Sequence, residues 1–163
     1  MSLSSHSLFI ASFESVVAKY PDNAAVIVSG EVAYTYAQLA QRARSIALAL
    51  QSKGVQGGDI VGISIEKSAA YICAMLAIWY AGAAFVPMDP ALPAERLQFM
   101  ADEASVNLVL VNKSEPGNAF ASTAVSQVNL ADVTELGRVS GGSRVGGSSP
   151  AAQLDTFGYT SVG

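Results

Sequence analysis

The side chains of this sequence that could carry chemistry are few. His6 is the only histidine and lies in a polar N-terminal stretch, so neither a Ser-His-Asp arrangement nor a histidine metal site can be assembled around it. Cys73 is the only cysteine. That excludes an internal disulfide or a cysteine metal cluster, and its apolar surroundings read it as a small buried hydrophobe. No catalytic residue and no metal ligand set is expected. Asp59 and Asp89 border strand ends, where α/β ligand sites lie, but a single carboxylate there more often caps a helix or turn. Gly54-Val-Gln-Gly-Gly-Asp59 precedes a strand, whereas a dinucleotide loop follows one and opens a helix, so it reads as a turn. Ser140-Gly-Gly-Ser-Arg-Val-Gly-Gly-Ser-Ser149 has amides that could surround a phosphate, yet it lacks a lysine and a following helix. Its composition is that of a linker.

Composition narrows the class further. A chain of 163 residues suits one compact domain able to bury a core without disulfides. A net charge of -4 and a pI near 4.8 leave no basic footprint for nucleic acid. The first residues, Met1-Ser-Leu-Ser-Ser-His6, have no positive n-region, so a secretory signal is not expected and a cytoplasmic address is the default.

The elements that would position any site follow from periodicity. Phe9, Phe13, Val16, Val17 and Tyr20 recur at helical intervals ahead of Pro21, which predicts a covering helix. Ala25–Val28 and Val32–Thr35 flank Ser29-Gly30-Glu31 as a hairpin. Thr35 and Gln38 have the form of a capping box, predicting a helix over Tyr36–Lys53 with the stripe Leu39, Ala43, Ile46, Ala47, Leu50 and a left-handed end at Gly54. Asp59–Ile65 and Leu108–Val111 read as buried strands, and Phe85-Val86 as a strand between them. Pro93 suits a helix N1 position ahead of a stripe at Leu97, Met100 and Ala104. Val125–Leu130 is a weaker strand signal. Strand, helix, strand, helix, strand argues a parallel α/β sheet.

Glu66–Pro90 is the stretch around which the rest is organised. Ser68–Tyr80 is apolar all round, as in a helix enclosed by a domain. A membrane span is the alternative, since no charge appears between Lys67 and Asp89. Gly82 and Pro87 divide that run into a shorter helix and an extended segment, which favours a buried core element and no membrane. Gly82 should let the helix turn closely into the next strand, and Pro87 should end pairing before Asp89-Pro90 starts the following helix.

Several of these segments resemble the adenylate-forming superfamily, and most closely the adenylation domains of nonribosomal peptide synthetases. Tyr34-Thr-Tyr-Ala-Gln-Leu39 is similar to the first core motif, with Thr35, Gln38 and Leu39 at its defining positions. Glu66-Lys-Ser68 and Trp79-Tyr-Ala-Gly-Ala-Ala-Phe-Val-Pro-Met-Asp-Pro90 resemble the second, with Gly82, Pro87, Asp89 and Pro90 matching it. Pro93-Ala-Glu-Arg-Leu-Gln-Phe-Met100 is similar to the continuation found in amino-acid-activating members. Phe157-Gly-Tyr-Thr-Ser161 resembles the opening of the phosphate-binding loop, but Val162 stands where the family has glycine, and Gly163 comes before the loop's Thr-Gly and lysine.

The resemblance implies the parallel-sheet N-terminal subdomain of the adenylate-forming, acyl-CoA synthetase-like α/β fold, in truncated form. The expected layout is a partial adenylation domain over 1–136, a Gly/Ser-rich flexible linker over 137–152, and a terminal strand over 153–163 that starts the phosphate loop. The family activates an amino or other carboxylic acid with ATP and Mg2+ to an acyl-adenylate, then transfers it to a phosphopantetheine thiol on a carrier. Thr160 and Ser161 are the nucleotide phosphate contacts the resemblance implies. Without the rest of the loop, the expectation is a chain that is catalytically inactive alone. Its implied partners are the remainder of the domain, a carrier protein, or a second copy across an exposed sheet edge. A non-catalytic scaffold and one half of a split enzyme are the alternatives.

Overall fold

The computed structural model describes residues 5–112, 120 and 125–132. The order is α1 (Ser5–Lys19), β1 (Ala24–Val28), β2 (Glu31–Thr35), α2 (Tyr36–Ser52), β3 (Ile60–Ser64), α3 (Ala69–Tyr80), β4 (Ala84–Pro87), α4 (Ala94–Glu103), β5 (Leu108–Val111) and β6 (Ser126–Asn129). β1 and β2 pair antiparallel. Their two-residue turn has positive φ at both Ser29 (53°) and Gly30 (85°), as a type I′ hairpin requires.

The capping box forms as the spacing predicts. Gln38 N–H donates to Thr35 Oγ1 at 3.3 Å, and Thr35 N–H donates to Gln38 Oε1 at 3.0 Å. At the other end Gly54, at φ 92°, donates to the Gln51 carbonyl at 2.9 Å while Val55 donates to that of Leu50 at 3.1 Å. This is a Schellman cap, with Val55 and Leu50 both buried beneath it. α3 ends in the same way: Gly82, at φ 78°, donates to Trp79 and Ala83 to Ile78, each at 3.0 Å. A Cβ on Gly82 would lie 3.4 Å from Gly57 Cα, so the two glycine-bearing turns meet backbone to backbone.

The remaining described strands form a parallel sheet in the order β4-β3-β5-β6. After β4 the chain crosses β3 to reach β5, so the direction of winding reverses between β3 and β5. Side chains alternate across the sheet. Val61, Ile63, Leu108 and Leu110 join a core with α2 and α3, while Val109 joins Met88, Leu97, Ala101 and Phe120 on the other face. Gly62 points into that second layer, where a Cβ would sit 2.8 Å from Met88 Sδ and 2.9 Å from Val109 Cγ2. Its missing side chain is what lets the second layer close on the sheet.

Four details depart from the expectations. α3 is not enclosed all round: Cys73, Ala74, Leu76, Ala77 and Ile78 are buried, but Ile72 is 39% exposed, and Met75 and Trp79 are only half-buried. The reason is that α1 covers its outer face only in part, through Phe9 on Trp79 (centroids 4.7 Å apart) and Phe13 on Tyr80 (6.5 Å). Pro87 is the last paired residue of β4, but its missing amide is not what ends the pairing. It stands opposite Ile63, and Met88 N–H still donates to the Ile63 carbonyl at 2.9 Å. Since Ala84 and Met88 donate toward β3, the absent Pro87 amide falls on the outer edge, where no ladder bond is lost. Pro93 is the N-cap of α4, not its first helical residue, because its ψ of 142° is extended. Finally, Asp89 does not start that helix. It builds a turn, taking Ala91 N–H on Oδ1 at 2.9 Å and Leu92 N–H on its carbonyl at 3.0 Å.

Candidate functional site

Parallel pairing of Ile63 with Pro87 places the two motif-bearing strand ends side by side. Ile65-Glu66-Lys67 leaves β3 and Met88-Asp89-Pro90 leaves β4, and together with Tyr71 of α3 they line an open cleft of about 410 Å³. Its floor is apolar, with Ile63, Ile65 and Met88 buried, while Glu66, Lys67 and Asp89 are exposed at the rim. Carboxyl ends of parallel strands are where α/β folds hold ligands. The rim offers one cation and two carboxylates, and the Ala91 amide already engages Asp89 Oδ1. Such a surface can bind and orient.

Cys73 is not a nucleophile. Burial pushes its thiol up to about 11, against the opposing pull of the Arg42 charge and a hydrogen bond with Tyr34. It therefore stays protonated near neutrality. Burial, with the Cys73 sulfur beside it, likewise raises Tyr34. Among the described residues no group of three or more His, Cys, Asp or Glu could hold a metal ion.

Thr35, Gln38 and Leu39 are brought together as the cap and first buried turn of α2. Gly82 sets the α3–β4 connection, Pro87 is the last residue of β4, and Pro87, Asp89 and Pro90 line the cleft. Thr160 and Ser161 lie outside the described residues, as do the 137–152 and 153–163 segments. Asp59 holds a turn, accepting Gln56 N–H on Oδ2 at 2.7 Å. Sequence reasoning missed a cluster on the outer surface, where the Glu14 carboxylate accepts hydrogen bonds from Arg44 of α2 and Tyr80 of α3. It also missed Arg42 over the Tyr34 ring, 4.9 Å from the centroid. The first joins residues 30 and 66 positions apart in the chain, the second joins the end of β2 to the first half of α2, and no local pattern marks either. Among the described residues no helix is long and apolar enough to cross a membrane.

This architecture has known relatives. The chain is 39% identical over 121 residues to CymA of Salinispora arenicola, described as a probable non-canonical nonribosomal peptide synthetase, a match covering 74% of this chain and 2% of that protein. Among solved structures it resembles the N-terminal subdomain of NpsA from Klebsiella oxytoca, with a TM-score of 0.64 and 26% identity over 76% of this chain and 31% of that one. It also resembles the nonribosomal peptide synthetase FmoA3 in its AMPPNP-bound form, with a TM-score of 0.69 and 29% identity over 76% of this chain and 13% of that one. This chain thus spans a small part of the length of the relatives it matches. The family model for AMP-binding enzymes matches residues 13–154, and with that match the chain belongs to the AMP-binding enzyme family.

Proposed function

We propose that this chain is the N-terminal α/β portion of an adenylation unit of the nonribosomal peptide synthetase type. In its complete form such a unit would activate an amino or other carboxylic acid with Mg-ATP and pass the acyl group to a phosphopantetheine thiol on a carrier. The observation that carries this reading is the family match over residues 13–154. The same residues include the parallel sheet with the two motif-bearing ends of β3 and β4 side by side.

The share of chemistry assigned to these residues is architectural. The Thr35 cap, the Gly82 turn and the Asp89 turn hold the strand ends in place. Thr160 and Ser161 would give hydroxyl groups to phosphate oxygens once a complete loop surrounds them. The partners in this reading are the remainder of the unit and a carrier, in keeping with NpsA-ThdA, an artificially fused adenylation–PCP di-domain. Self-association by strand addition would need an open edge. β4 offers only four residues with the Pro87 ring on its outer side, features that blunt such pairing.

Pyrophosphate release from Mg-ATP, measured with a panel of amino and aryl acids on the chain by itself, tests the assignment. Release equal to a buffer blank is expected. Acid-dependent release well above it would overturn the assignment of the catalytic groups to residues beyond this chain.

A further inference from the structure

A second cavity, of about 180 Å³, lies between α2, the start of α3 and the carboxyl ends of β5 and β6. It shares no lining residue with the Glu66–Asp89 cleft. Arg42, Tyr34, Cys73 and Asn112 form its polar wall, and Ile46 and Leu130 its apolar one. Arg42 is half-buried and stacked over Tyr34. The ring contact engages part of the guanidinium and leaves other N–H donors for further partners. Among the described residues no carboxylate forms an ion pair with Arg42, and the Glu14 pair on the same helix belongs to Arg44. The Arg42 charge reaches the cavity wall, since it opposes the effect of burial at both Tyr34 and Cys73.

A half-buried cation favours an anion that matches it in charge. One guanidinium compensates one negative charge, and a dianion such as phosphate would leave the second uncompensated among Ile46, Leu130 and Ala70. The planar fork of arginine fits a carboxylate through two parallel hydrogen bonds. The apolar wall suits a short hydrocarbon chain, and the carboxyl ends of β5 and β6 are the usual ligand side of a parallel sheet.

We propose that this cavity binds a small monocarboxylate with a short apolar chain, its carboxylate on Arg42 beside Asn112 and Tyr34 and its chain against Ile46 and Leu130. The site is independent of ATP and of the adenylation reading. It is tested by titrating the full chain with sodium propanoate, with sodium chloride holding the ionic strength constant, while the Asn112 side-chain amide is followed by NMR. A saturable shift is expected, with affinity lowered about tenfold or more by Arg42→Met and partly kept by Arg42→Lys, which retains the charge without the fork. Ala70→Leu, which fills the cavity and keeps Arg42, should also abolish saturation. A linear shift in the unmodified chain would overturn the proposal, as would unchanged affinity in folded Arg42→Met or Ala70→Leu. Phosphate competing as well as propanoate would overturn the monocarboxylate assignment.

Discussion

Arg44 of α2 donates its Nε–H to Oε1 of Glu14 on α1 at 3.0 Å, and the Tyr80 hydroxyl of α3 donates to the same oxygen. One carboxylate thus ties three helices together on the surface. The Arg44 and Glu14 side chains are 49% and 34% exposed, so solvent screens the pair and its worth is small. Arg44→Met should cost about 0.5 to 1 kcal/mol by urea denaturation, most of it removed by molar salt in the parent chain. A loss several times larger would mean that α1 docks chiefly through this pair and not through Phe9 and Phe13.

The same cluster sets an acid limb. Burial alone would raise Glu14, but hydrogen bonds from Tyr80 and Arg44, with the Arg44 charge, outweigh it and hold the carboxyl below its ordinary 4.5. A depressed carboxyl contributes stability that is present above its unfolded value and lost as pH falls through the folded one. Glu14→Gln should therefore lose less stability than the parent below pH 4.5, and less of it still on further acidification, as the two stability curves converge. Parallel curves throughout that range would contradict the assignment.

Cys73 and Tyr80 contribute two steps to an alkaline limb. Cys73 is raised from 9.0 to about 11, and Tyr80 from 10.0 to about 12, each chiefly by burial. Both groups are neutral when protonated and hold the proton more tightly in the folded chain. Their contributions are complete below the unfolded values and disappear as pH rises through the folded ones. Cys73→Ala should flatten the fall in stability between pH 9 and 11, and Tyr80→Phe the fall between pH 10 and 12. Thermal unfolding across that range reads both, and an unaltered slope in either variant would refute its step.

Gly62 should tolerate no side chain. With Met88 Sδ at 2.8 Å and Val109 Cγ2 at 2.9 Å from a Cβ, Gly62→Ala overpacks the second core and should cost about 1 to 3 kcal/mol. Thr35→Ala should cost about 1 kcal/mol by removing the cap on α2, with Thr35→Ser restoring most of it. Chemical denaturation measures both. A neutral Gly62→Ala would mean that the two faces of the sheet are less closely packed than the distances imply.

What was legible in the sequence was local. Thr35 and Gln38 stand three residues apart, Gly54 follows a helical stripe, and Ser29-Gly30 separates two short apolar runs, so each feature carries its own physical mark. The alternation of strands with helices also carried the parallel sheet. What could not be read depends on residues that meet only after folding. Glu14 and Tyr80 are 66 positions apart, and nothing near either announces the other. Gly62 looks like a weakness inside a strand until Met88 and Val109 close over it. Pro87 reads as a strand terminator because sequence does not say which side of β4 faces its neighbour. Arg42 has the spacing of a solvated helix residue, yet Tyr34 and Asn112 turn its surroundings into a cavity.

In the proposed function these residues supply the frame of an adenylation unit, and the nucleotide chemistry resides elsewhere in it. Isothermal titration calorimetry of the chain with Mg-ATP tests that most directly. No binding heat beyond dilution is expected at millimolar nucleotide. Saturable binding in the micromolar range, lost in Thr160→Ala or Ser161→Ala, would contradict it by showing that a working phosphate site is already built within this chain.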